Sequence, residues 1–130
     1  MCPGIKSGYF KSLKRCRIVV IDHPGTSALE VLAANIPMVL FWDPRWWEMR
    51  REAEPYFEGL RKVGILWNSP ETAAAKLAEI YHDPWAWWGS SEVQQARKNF
   101  ADRYALARED WADCWAKALA EELSLSRKER

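Results

Sequence analysis

Apolar residues cluster in two short unbroken runs, Ile-Val-Val-Ile at 18–21 and Met-Val-Leu-Phe-Trp at 38–42. Such runs lack the alternation of a half-exposed strand and match parallel strands buried on both faces. Two parallel strands need a crossover, so the residues between them are predicted to form a helix. Thr26 or Ser27 can cap its start, and Asn35, followed by Ile36 and Pro37, ends it. Asp22, His23, Pro24 and Gly25 are left as the turn. Downstream, residues 46–60 carry Met49, Ala53, Phe57 and Leu60 at helical spacing, although Pro55 should kink or divide that segment near Glu54. Gly64 precedes a third short strand at 65–67. Ser69 is placed to cap the next helix, with Pro70 in its first turn; Ala73, Ala74, Leu77, Ile80 and Tyr81 form its apolar face. Residues 85–89 read as a compact aromatic turn.

Ser90 or Ser91 opens the longest helical pattern, through Val93, Ala96, Phe100, Tyr104, Ala107, Trp111, Cys114, Trp115 and Ala118. Continuous to residue 123, it would be ~48 Å long at 1.5 Å per residue, more than three strands can cover. Ahead of the first strand, Tyr9, Phe10 and Leu13 share a helical face in a basic arm with Lys6, Lys11, Lys14 and Arg15. The predicted fold is α/β: a three-stranded parallel sheet in Rossmann-like β-α-β-α-β-α order with a long C-terminal helix. Its divisions are an arm at 1–17, the α/β unit with its helix at 18–123, and a charged tail at 124–130.

The turn at 22–25 carries the candidate chemistry. It follows a parallel strand at the sheet's carboxyl end, where open α/β sheets bind ligands. Free N–H groups and the positive helix terminus stabilise phosphate or diphosphate there. Gly25 leaves room for backbone approach, Thr26 and Ser27 add hydroxyls, and Glu30 can accept two hydrogen bonds from a ribose or sugar diol. The plainer alternative is a tight turn with a cap, and a solvated Glu30. His23 suits shaping the turn better than acting as a base, because no positioned partner is legible beside it.

The segment HPGTSALEVLAANIPMVLFWDP resembles the donor-binding segment of GT-B glycosyltransferases. In that family a glycine and hydroxyl loop holds the nucleotide diphosphate and a glutamate holds the ribose. Gly25, Thr26, Ser27 and Glu30 are the matching positions. The plant-type signature His-x-Gly-x-x-Ser-x-x-Glu is one residue longer than the span from His23 to Glu30, and Asp43 falls near its sugar-contacting acid. From about Cys16 to Trp115 the chain is similar to the carboxyl-terminal part of transferases from bacterial surface-carbohydrate gene clusters. That likeness rests on Phe-Trp-Asp-Pro at 41–44, Pro55-Tyr56-Phe57, Gly64-Ile65-Leu66, Asn68-Ser69-Pro70 and Trp87-Trp88. It implies half of a GT-B C-terminal domain, with a nucleotide-diphosphate sugar as substrate and no cofactor. The acceptor side and the catalytic base would come from an amino-terminal domain or a separate chain.

Size and charge narrow the alternatives. At 130 residues the chain is one domain, short of the two that a GT-B enzyme needs. A net charge of +1 with mixed signs gives no general attraction to nucleic acid. Cys2, Cys16 and Cys114 form no Cys-x-x-Cys pair, as expected of reduced thiols. No apolar run approaches the roughly 20 residues of a membrane span, and the start lacks a signal-peptide core, so the expected location is cytoplasmic. Of nine tryptophans, Trp42, Trp67, Trp111 and Trp115 fit core positions, whereas Trp46 and Trp47, just past a strand end, are candidates for a ligand wall. A hydrolase P-loop is absent, and so is the Asp-x-Asp of metal-dependent transferases. The competing function class is a non-catalytic interaction module. The strand at 18–22 has a neighbour on one side only, so pairing with another copy or a missing half is expected.

Overall fold

The computed structural model describes residues 3–128. Helix α1 (Pro3–Arg15) leads to β1 (Val19–Ile21), then α2 (Thr26–Ala33), β2 (Met38–Phe41), α3 (Glu54–Lys62), β3 (Leu66–Trp67) and α4 (Pro70–Ile80). A short α5 (Pro84–Trp88) precedes α6 (Ser91–Tyr104) and α7 (Trp111–Lys128). The three strands are parallel in the order β1-β2-β3. The expected α/β fold with a three-stranded parallel sheet and a C-terminal helix is therefore present.

Side chains alternate across the central strand β2. Met38 and Leu40 enter one core with Val31 and Leu32 of α2, Leu60 of α3, Trp88 of α5 and Phe100 of α6. Val39 faces the other side, against Ala73 and Ile80 of α4. Burial on both faces explains the absence of polar residues in this run. Helices α2 and α3 lie on the same face of strands laid down in one direction, so both crossovers have the same hand.

Both crossover helices end alike. Asn35 takes the left-handed conformation (φ 55°) after α2, and Gly64 does so (φ 80°) after α3. At the first, the N–H of Asn35 bonds to Leu32 O and that of Ile36 to Val31 O; at the second, Gly64 reaches Arg61 O and Ile65 reaches Leu60 O. These paired bonds are Schellman motifs, which satisfy the last carbonyls and turn the chain back into the sheet. Asn35 Oδ1 also accepts hydrogen bonds from Trp88 Nε1 (2.8 Å) and Gln94 Nε2 (3.1 Å), and Arg97 Nη1 donates to Leu32 O at 3.1 Å. Helix α6 is thereby tied to the end of α2.

Four local expectations change. Residues 46–53 are loop and turn, and α3 begins at Glu54 with Pro55 in its first turn. The proline starts this helix instead of kinking it, because its missing N–H is no loss there. The aromatic turn at 85–89 is mostly helix α5, started by Asp83, whose carboxylate accepts the N–H of Ala86. The long terminal pattern divides after Tyr104. Arg108 pairs with Asp110 at 2.7 Å; residues two apart do not face each other on a helix, so this pair belongs to a turn. Beyond it, α7 leaves Trp111 63% and Trp115 64% exposed and continues to Lys128, through most of the segment expected to be a tail. Among the side chains expected along α4, Ala73 and Ile80 are buried, while Ala74 and Tyr81 are exposed.

Candidate functional site

A cleft of about 710 Å³ opens past the carboxyl ends of β1 and β2. Pro24 and Gly25 border it from the first turn, with Ala28 and Leu29 from α2 behind them. Its apolar floor includes Leu40, Trp42, Phe57 and Tyr104. Residues 47–53 supply the outer wall, where Glu48, Arg50 and Glu52 alternate with Trp47, Met49 and Ala53. Arg103, at the end of α6, completes the rim. Mostly apolar walls with a few charged groups and this volume are typical of small-molecule sites.

The wall is shaped where β2 ends. Asp43 Oδ1 accepts the N–H of Arg45 at 2.9 Å, an Asx-turn, and Arg45 Nε also reaches that carboxylate. Those bonds, the side-chain one foremost, hold the Asp43 carboxyl below the usual carboxylate range. Asp43 is therefore engaged by its neighbour and does not border the cleft. Trp46 is 79% exposed and lies outside the lining, whereas Trp47 lines it. The ring of Trp47 stands 6.4 Å from that of His23.

The first turn differs from its sequence picture in two respects. Gly25, not Thr26 or Ser27, occupies the N-cap position of α2, and no side chain caps this helix. The hydroxyl residues lie inside the first turn, too late to cap it. The N–H of Gly25 bonds to His23 O and that of Ala28 to Gly25 O, both at 3.0 Å; the N–H groups of Thr26 and Ser27 have no such acceptor among the described residues. The terminus is thus open to an anion. The second difference concerns the space over Gly25. A Cβ placed there would stand 2.7 Å from His23 Nε2, so the imidazole occupies the room that glycine leaves. With φ −104° and ψ 178° the position needs small size, not left-handed freedom.

His23 Nδ1 donates to Asp22 Oδ1 at 2.8 Å, a partner not legible in the sequence, and this bond holds the Asp22 carboxyl below its usual range. Both side chains are well exposed, and neither borders the cleft. Glu30 and Ser27 are partly buried on α2 and Thr26 is exposed; none of the three lines the cleft. Of the nine candidate residues, then, the cleft gathers Gly25 and Trp47.

Sequence inspection missed Met49, Arg50, Phe57, Arg103 and Tyr104. Taking Pro55 as a helix start would have exposed residues 46–53 as a strand-to-helix loop at the ligand-binding end of the sheet. Nothing local marks Arg103 or Tyr104, which α6 delivers from far along the chain. Among the described residues no group of three or more His, Cys, Asp or Glu is arranged to hold a metal ion, and no helix is long and apolar enough to cross a membrane.

No curated protein and no solved structure matches the chain. The model of one family, described as LIC12162 family transferase, matches residues 4–119. That span runs from α1 through the sheet and the cleft into α7, and on this match the chain belongs to the LIC12162 family of transferases.

Proposed function

We propose that the chain is the donor-binding part of a glycosyltransferase-like enzyme and binds a nucleotide-diphosphate sugar for surface-carbohydrate biosynthesis in the cytoplasm. The observation that supports this most is the cleft at the carboxyl end of the parallel sheet, bordered by Gly25 just ahead of the open start of α2. In this reading the turn at Gly25, Thr26 and Ser27 takes the diphosphate, with Glu30 serving a hydroxyl at its edge. His23 must swing from above Gly25 when backbone and phosphate meet, since imidazole and ligand need the same space. Transfer then depends on positioning the donor and stabilising the negative charge of the departing diphosphate. The acceptor and its base come from another domain or chain.

Ligand-observed NMR against nucleoside diphosphates and nucleotide sugars tests this. Saturation transfer to one nucleotide class, with shifts at the Trp47 indole and the Thr26 and Ser27 amides, is the expected result. Uniform absence of transfer would remove the donor reading.

A second reading, a non-catalytic module that docks on a separate acceptor-binding chain or on itself, draws support from the edge strand. Val20 of β1 is 47% exposed and, among the described residues, β1 pairs with β2 alone, so its other edge is a template for strand addition. Sedimentation equilibrium over a wide concentration range addresses it: association is expected, and a monomer throughout would count against self-pairing.

A further inference from the structure

We propose that Arg50 and Arg103 form the anion-binding pair of the cleft and grip the diphosphate group of its ligand; as to the ligand, this rests on the donor reading above. Several arginines elsewhere in the fold have partners, and Arg15 and Arg51, which have none among the described residues, do not border the cleft. Arg45 pairs with Asp43, Arg61 with Glu54 and Arg108 with Asp110, while Arg97 caps the α2 carbonyl. Arg50 has no ion pair or side-chain hydrogen bond among the described residues. Among the described residues Arg103 has only the face of Tyr104, 5.7 Å from its guanidinium carbon. Both border one cleft, although residue 50 sits in the loop after β2 and residue 103 at the end of α6.

Their isolation is not for want of carboxylates. Glu48 and Glu52 border the same cleft, and among the described residues neither makes an ion pair with either arginine. Two arginines without a carboxylate partner thus border one cleft, and being exposed they attract an anion through a field that salt screens. A guanidinium presents a planar fork that bonds phosphate oxygens in pairs, so two of them suit two linked phosphates. The half-exposed ring of Trp47 offers a flat face to a base, and the two glutamates can accept from hydroxyls while repelling phosphate from their side. Charge for the diphosphate thus comes from distant segments, in addition to the neutral amides of the turn.

The test uses the full chain, with inorganic pyrophosphate and a set of nucleoside diphosphates and nucleosides as probes. Both arginines are exposed, so Arg50→Gln and Arg103→Gln should fold as the parent does, with circular dichroism as the control. Each is expected to weaken nucleoside diphosphate binding about tenfold, the scale of one hydrogen bond to a charged group, and to leave nucleoside binding unchanged. Arg108→Gln removes the same charge away from the cleft and should have no such effect. Pyrophosphate should shift the Arg50 and Arg103 Nε–H resonances and lose affinity as salt rises. Unchanged nucleoside diphosphate affinity in both variants would overturn the pair and leave the donor reading standing. Pyrophosphate bound at both arginines while every nucleoside diphosphate fails would keep the pair and discard the nucleotide.

Discussion

Helices α6 and α7 carry comparable apolar repeats, yet α6 packs against α2 and α3 while α7 turns its aromatic stripe to solvent. Val93, Phe100 and Ala101 are buried, and Phe100 packs edge-on with Phe57 and tilted against Tyr104 at ring separations of 5.0 and 5.3 Å. Trp111, Trp115, Leu119 and Leu123 of α7 are each more than half exposed. Periodicity thus announces a helix with one apolar side but does not say whether a neighbour exists to cover it. Polar anchors separate the two as well: α6 has Asn35, Gln94 and Arg97 binding it to α2, and α7 is joined to the body through a turn held by Arg108 and Asp110.

The sharpest break of this contrast is a pair of truncations. Phe100→Ala should destabilise the fold by about 3–5 kcal/mol, the usual cost of emptying a buried aromatic site. Trp115→Ala should change stability by no more than about 0.5 kcal/mol, as for other surface positions. Urea denaturation at low protein concentration reads both, and a large loss in the tryptophan variant would mean that α7 is docked in solution.

A smaller effect is expected at the anchor of α6. Asn35→Gly keeps the left-handed backbone but deprives Trp88 Nε1 and Gln94 Nε2 of their shared acceptor. Gln94 Nε2 keeps its bond to Trp88 O, but leaving the buried Trp88 donor unsatisfied costs about 1–3 kcal/mol, with Asn35→Ala worse because its Cβ resists the left-handed region. If glycine were as stable as asparagine, the contacts would be incidental and the turn alone would matter.

The smallest effect concerns acid and the start of α7. The hydrogen bond from Arg108 holds the Asp110 carboxyl below its usual range. A depressed carboxylate contributes fully above the ordinary value of 3.8 and loses its contribution as pH falls through the lowered folded-state value. Acidification should therefore loosen the turn ahead of Trp111 without touching the apolar packing of Phe100. Carboxyl-carbon NMR should show Asp110 titrating below an unpaired aspartate, and Arg108→Gln should raise its midpoint. An unshifted midpoint in that variant would remove the pair as the cause.

Much of the sheet was legible because its signals are local. Unbroken apolar runs marked both strands, although only β2 is buried on both faces and Val20 of β1 is 47% exposed, and a Ser-Pro pair at 69–70 carries its cap within three residues, where Ser69 accepts the N–H of Thr72. Asn35 and Gly64 mark chain reversals through the dihedral angles they tolerate. Pro55 was ambiguous for the same reason: the ring permits either a kink or a start, and only the course of residues 46–53 decides between them. The break after Tyr104 has no glycine or proline to announce it. There the helix outruns the elements that could bury it, and an ion pair across a turn takes over.

Backbone preferences and apolar periodicity, both properties of a few neighbouring residues, determined the order of the elements, the parallel sheet and the position of the first turn. Tertiary packing decided which side chains meet at the cleft. Gly25, Arg50 and Arg103 lie on three separate elements, and their convergence depends on how α2, the loop after β2 and α6 stack. The imidazole over Gly25 was also a tertiary outcome, since His23 could take other rotamers and is placed by Asp22 and Trp47 together. Helix propensity likewise produced α7 as a helix, but only the missing neighbour left its tryptophans in water.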